Sequence, residues 1–227
     1  MSSASAYLAA LQLSDSALPI GRFVHSHGLE SWLATNGEAG DAELAGLIEA
    51  ALISSVAPLD GAIVSHAHRA PELTELLELD RLTTARKLTP ASRSASESCG
   101  RALAGLAVQL SADPVVHALA AAVAQQQTAG NLVVVEGALA RALGLSCRAA
   151  VLLELRGYVA GLLSCAVRLG RSTAFAAQRL MTSLGPAIES AGDIAETTRL
   201  DALATGSPEL EIHAMRHQRA DARTFRT

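Results

Sequence analysis

Leu132-Val133-Val134-Val135-Glu136-Gly137-Ala138-Leu139-Ala140 is the stretch on which the fold class turns. Three consecutive valines have the β-branched density of a strand. Beyond Glu136 the period changes, because Val135, Leu139 and Leu143 fall four apart on one helical face. A strand also needs a partner, and no second segment carries a strand signal. The stretch is therefore read as helix, and the chain as all-α.

Helical signals continue in both directions. Ser146 is placed to cap a long helix of about 147–169, and Ser172 one that reaches Leu184 before Gly185-Pro186 breaks it. Upstream, Asp113-Pro114 and Thr89-Pro90 each pair a capping side chain with a proline at the first helical position. Pro71 opens a helix with Leu73, Leu76 and Leu77 inward. Asp41 reads as the cap of an amphipathic helix burying Leu44, Leu47, Ile48, Ala51, Leu52 and Val56, with another over about Leu59–Arg69. Residues 3–13 and the stretch from a Ser26 cap to Thr35 are helical, and Thr205-Gly206-Ser207-Pro208 introduces the last helix. No repeat, linker or shift in composition divides the chain. It is read as one domain of about ten helices over 1–227, with a flexible tail at 222–227 that frays or docks on something.

Half of the 227 residues are apolar, and only Tyr7, Phe23, Trp32, Tyr158, Phe175 and Phe225 are aromatic. The expected core is built from alanine and leucine. The net charge of −4 offers no electrostatic footprint for nucleic acid. Cys99, Cys147 and Cys165 are odd in number and widely spaced, as in a reducing compartment. The N-terminus lacks the basic start and apolar run of a secretory signal. The most apolar stretch, Gly157–Val167, is about half of the ~20 residues that a spanning helix needs. A cytoplasmic protein is expected, without membrane or nucleic-acid partners.

Several active-site classes are absent. Lys87 is the only lysine and has no glycines upstream, so no P-loop is present. Neither a G-x-S-x-G elbow nor an H-E-x-x-H pair occurs. His25/His27 and His66/His68 are spaced by two, which sends them to different sides of a helix. Only His213/His217 share a helical face and could chelate. No nearby third ligand completes a set, and the plain reading is that these histidines are satisfied by hydrogen bonds. The rival reading is a helical metal carrier or enzyme that uses the histidines and Glu30 directly.

One motif carries more information than the rest: Leu11-Gln12-Leu13-Ser14-Asp15-Ser16-Ala17-Leu18-Pro19-Ile20-Gly21-Arg22-Phe23-Val24-His25-Ser26-His27-Gly28-Leu29-Glu30. It resembles the N-terminal signature of the urease accessory protein UreF family, a leucine-rich start followed by S-x-A-L-P-[VI]-G-x-[FY]-x-x-S-x-G-L-E. The stretch from Ala85-Arg86-Lys87-Leu88-Thr89 to Gly100-Arg101-Ala102-Leu103 is similar to the family's central block. Val135–Leu145, Val167-Arg168-Leu169-Gly170 and the end, His217-Gln218 through Arg223-Thr224-Phe225-Arg226-Thr227, resemble its later segments. His25 departs from the usual aromatic, Gln218 from a glutamate and Thr224 from a leucine.

The resemblance implies a UreF-like helical bundle that is a homodimer with no catalysis, cofactor or resident metal of its own. It implies a scaffold joining a UreD/UreH-type protein and the nickel-carrying UreG-type GTPase, so that GTP hydrolysis is coupled to nickel insertion into apo-urease. By the same resemblance Glu30, Asp60 and Arg168 become partner-binding candidates, with Arg223, Phe225 and Arg226 in the tail. On the residues alone, Glu30 and Arg168 equally suit the two ends of a helix dipole, and Asp60 a cap. The tail is expected to be mobile in the free chain and to order only on a partner.

Overall fold

In the computed structural model, which describes residues 3–206, 208–217 and 224–226, the valine-rich segment is a helix, Leu132–Ala142, and every residue from Leu132 to Ala140 is buried. A helix that is apolar on all sides belongs inside a domain, which is why its pattern looks so little like a surface helix. Eleven helices and no strand occur among the described residues. They are α1 (Ser3–Ser14), α2 (Leu29–Thr35), α3 (Asp41–Arg69), α4 (Leu73–Arg86), α5 (Pro90–Leu110), α6 (Pro114–Ala124), α7 (Leu132–Ala142), α8 (Cys147–Arg168), α9 (Ala174–Ser183), α10 (Gly185–Thr197) and α11 (Pro208–His217). Short 3-10 turns lie at Arg22–Val24 and Leu200–Ala202.

Around α7 pack the end of α3, α4, α5, α6 and α8. The end of α3 and α5 pack on it most closely, α8 runs beside it, and α10 lies along the middle of α3. The α3–α7 crossing is tight because of Gly137. A Cβ there would lie 2.7 Å from the Val64 carbonyl oxygen and 2.8 Å from the Ala67 Cβ. The turn that feeds α7 is held from below by Asp80 of α4, which is 1% exposed. Its carboxylate accepts from the Gly130 N–H at 3.0 Å, the Asn131 N–H at 2.6 Å, the Asn131 side-chain amide at 3.0 Å and the Thr128 hydroxyl.

Three expected caps hold. Thr89 accepts from Ser92 N–H at 3.0 Å, Asp113 from Val115 and Val116 N–H at 2.9 and 3.1 Å, and Ser146 from Ala149 N–H at 3.1 Å. Others move. Ser26 is not the cap position of α2, which starts after Gly28, whose φ of 88° is the left-handed region open to glycine. A Cβ at Gly28 would also overlap the Leu210 carbonyl oxygen, where α11 crosses. The cap position before α3 is Gly40, whose N–H is met by Glu43 Oε2 at 3.0 Å. Thr173 rather than Ser172 caps α9. Gly185-Pro186 ends α9 and at the same time opens α10, since proline is tolerated in a first turn.

The largest revision is α3. The two helices read from Asp41 and Leu59 are one, continuous from Asp41 to Arg69, with Leu52–Gly61 in π register. Pro58 sits inside this stretch. In an α-helix its missing N–H and its ring would break the ladder; here the wider turns let the Ala62 N–H reach the Ala57 carbonyl. Helices α3 and α8 are long and apolar enough to cross a bilayer, but 61% of each apolar window is buried against the rest of the fold.

Candidate functional site

Glu30 lies in the first turn of α2, where a carboxylate is favoured by the helix dipole. The fold uses it differently. Its Oε1 accepts the Thr224 N–H at 2.8 Å and its Oε2 the Phe225 N–H at 3.0 Å, a contact across almost the whole chain. Phe225 is 4% exposed and belongs to the hydrophobic core. The Arg168 guanidinium, at the C-terminal end of α8, stands 4.4 Å from the centre of its ring. Arg168 also donates to the Phe23 carbonyl at 2.7 Å, and the Arg226 N–H donates to the Val24 carbonyl at 2.9 Å.

His217, the last residue of α11, completes the enclosure. Its Nε2 is 3.2 Å from the Phe225 carbonyl and 3.5 Å from Glu30 Oε2. With acceptors on both sides, that nitrogen must carry the proton. Burial and the nearby Glu30 carboxylate push the Cys165 thiol beneath this site up to about 12, so it stays neutral. Three candidates from separate motifs, Glu30, Arg168 and Phe225, thus meet at one place, with Arg226 beside them. Arg223 lies outside the described residues. Of the tail expected to be mobile, Thr224–Arg226 are described, and there an aromatic ring and three backbone N–H groups have partners within the chain.

Asp60 takes no part in this cluster. It is in the π stretch of α3, where its carboxylate accepts from Lys87 Nζ at 2.6 Å on the wall of an internal cavity of about 100 Å³. Arg22 forms the other charged wall. It is paired with Glu154 of α8 and lies 3.7 Å from Glu136 of α7. Gly157 leaves room for the guanidinium, since a Cβ there would collide with it. Burial raises the Glu136 carboxyl above its ordinary value, and Arg22 pulls it back. Burial likewise raises Glu211, against the Thr89 hydroxyl and Lys87. One oxygen of each of these two glutamates has no hydrogen-bond partner. His25 and His27 also face the cavity. Burial and Arg226 lower His25 to about 4; burial, His25 and the Lys87 and Arg22 cations lower His27 to about 3. Both imidazoles are neutral at ordinary pH.

The sequence is matched by known proteins. A family model described as UreF matches residues 39–185. The urease accessory protein UreF of Yersinia enterocolitica is 30% identical over 225 residues, covering 98% of each chain. The corresponding proteins of Yersinia pseudotuberculosis and Yersinia pestis match with the same identity and coverage. The chain belongs to the UreF family. Glu30 and the tail fall outside the 39–185 match, whereas the likeness to these UreF proteins spans 98% of the chain.

The remaining histidines of this UreF-family chain are dispersed. His66 bonds the Thr198 carbonyl at 3.0 Å and His68 the Leu145 carbonyl at 2.8 Å, while His213 is 3.1 Å from the Ser31 hydroxyl. Among the described residues no three His, Cys, Asp or Glu side chains are grouped as a metal would need. Reading the sequence missed the Arg22–Glu154–Glu136 network. Its signal was available: Glu136 is the only charge within an otherwise apolar run, and a buried carboxylate calls for a cation elsewhere in the chain.

Proposed function

We propose that this UreF-family chain is a non-catalytic scaffold of urease maturation. It joins a UreD/UreH-type protein to a UreG-type GTPase and modulates GTP hydrolysis during nickel insertion into apo-urease, acting as a homodimer in the cytoplasm. The observation that carries the reading is the convergence of Glu30, Arg168 and Phe225, singled out from three separate family-like segments, on one face of a chain that resembles UreF proteins from end to end. Such a face suits recognition rather than chemistry, for it contains an ion–ring contact and backbone hydrogen bonds but no nucleophile with a base. The rival reading, a metal carrier or enzyme built on the histidines, has less to stand on. Four of them, His66, His68, His213 and His217, are within hydrogen-bond reach of carbonyl or hydroxyl oxygens.

The test is gel filtration of the purified chain with UreD/UreH-type and UreG-type proteins, with and without GTP and nickel. A complex containing all three is expected, with GTP turnover only when the UreG-type protein is present. GTP hydrolysis that follows the isolated chain through purification would overturn the scaffold reading, and a stable monomer by light scattering would overturn the dimer.

A further inference from the structure

An open groove of about 610 Å³ lies between α4, α5 and the turn that joins α6 to α7. It shares no lining residue with the Glu30 cluster or with the Arg22 cavity. Arg81 of α4, Arg101 of α5, Val123 of α6 and residues 126–129 of the turn line it. Arg81 is exposed and has no hydrogen bond or ion pair with the described residues. Arg101 is half exposed and makes only two long contacts, each of 3.4 Å, to Glu97 Oε2 and the Ala129 carbonyl. Both guanidinium groups therefore keep donors to spare. The N–H groups of Thr128 and Ala129 likewise find no acceptor among the described residues.

The features that would repel an anion here are already occupied. Asp80 lines the groove, but its two oxygens take the Thr128 hydroxyl, the Gly130 and Asn131 N–H groups and the Asn131 amide. The C-terminal carbonyls of α6 are turned to use by the chain itself. Ala121, Ala122 and Val123 accept from the N–H groups of Gln125, Gln127 and Gln126. Because Asp80 anchors Thr128, Gly130 and Asn131, the turn is held in place before any ligand arrives, which lowers the entropy lost on binding.

We propose that this groove binds a small multivalent oxyanion, a diphosphate or a tricarboxylate. Arg81 and Arg101 meet its charges, since their forked donors match phosphate and carboxylate alike. The successive Thr128 and Ala129 N–H groups meet its oxygens, as backbone amides do in anion-binding turns. No aromatic ring lines the groove, and its aliphatic share is Val123 with Ala85 and Ala129. Such a lining suits a polar ion and offers little to a nucleotide base or an acyl chain.

The test is isothermal titration of the full-length chain with diphosphate, citrate and acetate at one ionic strength. Diphosphate or citrate should bind at least about tenfold more tightly than acetate, and the tighter of the two identifies the source. Arg81→Ala and Arg101→Ala should each weaken that binding by about tenfold or more. Arg156→Ala, at an exposed arginine of α8 outside the groove, should leave it unchanged. The bound ion should also slow amide hydrogen exchange at Thr128 and Ala129. Should Arg101→Ala loosen the turn through its lost contact with Ala129, Arg81→Ala decides, because Arg81 leaves no bond behind. Three results would overturn the proposal: neither multivalent ion binds, Arg81→Ala binds as well as wild type, or Arg156→Ala weakens binding as much as Arg81→Ala. A hexaglutamate peptide that binds where neither small ion does would make the groove a protein-docking surface, and the assignment to a small ligand would fail.

Discussion

Asp80 and Glu30 perform the same act in two settings. Each carboxylate accepts the N–H groups of two successive residues far away in the chain: Gly130 and Asn131 for Asp80, Thr224 and Phe225 for Glu30. Asp80 is 1% exposed and also satisfies the Thr128 hydroxyl and the Asn131 side chain. Glu30 lies nearer the rim, with its side chain 16% exposed and Thr224, one of the two residues it binds, open to solvent. Chemistry alone therefore does not say whether such an attachment builds the fold or lends the surface a shape. Enclosure decides, because a donor left unpartnered in the interior keeps its desolvation cost, whereas one at the rim returns to water.

The sharpest way to break this comparison is Asp80→Ala. It strands the buried N–H groups of Gly130 and Asn131 beneath α7, each costing about 1–3 kcal/mol when unsatisfied, so a loss of about 2 kcal/mol or more is expected in urea denaturation. A loss below about 1 kcal/mol would mean that enclosure is not what separates the two sites.

Acid gives the next largest effect. His25 and His27 hold neutral imidazoles in the fold, with pKa values of about 4 and about 3 against an ordinary 6.5. Below pH 6.5 the unfolded chain takes up protons that the folded chain refuses. Their contribution is thus fully present above pH 6.5 and is lost as pH falls toward the folded values, by up to about 1.4 kcal/mol per pH unit for each histidine. Denaturation curves at pH 7, 6 and 5 should show this slope. His27→Asn, which tolerates the φ of 50° at that position, should remove about half of it.

At the rim the effects shrink. Glu30→Ala should cost only about 1 kcal/mol in the same urea assay, since the amide of the exposed Thr224 regains water. Arg168→Lys should cost about 0.5 kcal/mol, because the ammonium can still sit over the Phe225 ring while the guanidinium's bond to the Phe23 carbonyl is lost. A rim substitution that matched Asp80→Ala would erase the distinction between the two sites.

What could be read from the chain follows the same divide between near and far. Thr89, Asp113 and Ser146 act on N–H groups two or three residues away, and all three caps were legible. The period of Val135, Leu139 and Leu143 decided α7 because a helix is a local pattern. Ser26 was misread because the left-handed turn at Gly28 delays α2. The longest reaches were not legible at all. Glu30 finds the tail 194 residues on, and Arg22 finds Glu154 after 132, distances over which composition and spacing carry no information. Phe225 shows the cost: it reads as a free aromatic, yet its anchors are α2, α8 and α11. Asp60 was picked out through the resemblance, but its lysine partner was visible only as the chain's single Lys87.

The π stretch of α3 has a bearing on how the helix is phased. Each residue advances an α-helix by about 100°, so turns that take in an extra residue rotate everything beyond them relative to everything before. α3 works as a splice between two gauges, with Asp41–Ala51 set against α9 and Ala62–Arg69 set against α7 and α8. A one-residue deletion in Leu52–Gly61 would register far from the cut, at the end of α3, where His66 and His68 would swing off the Thr198 and Leu145 carbonyls.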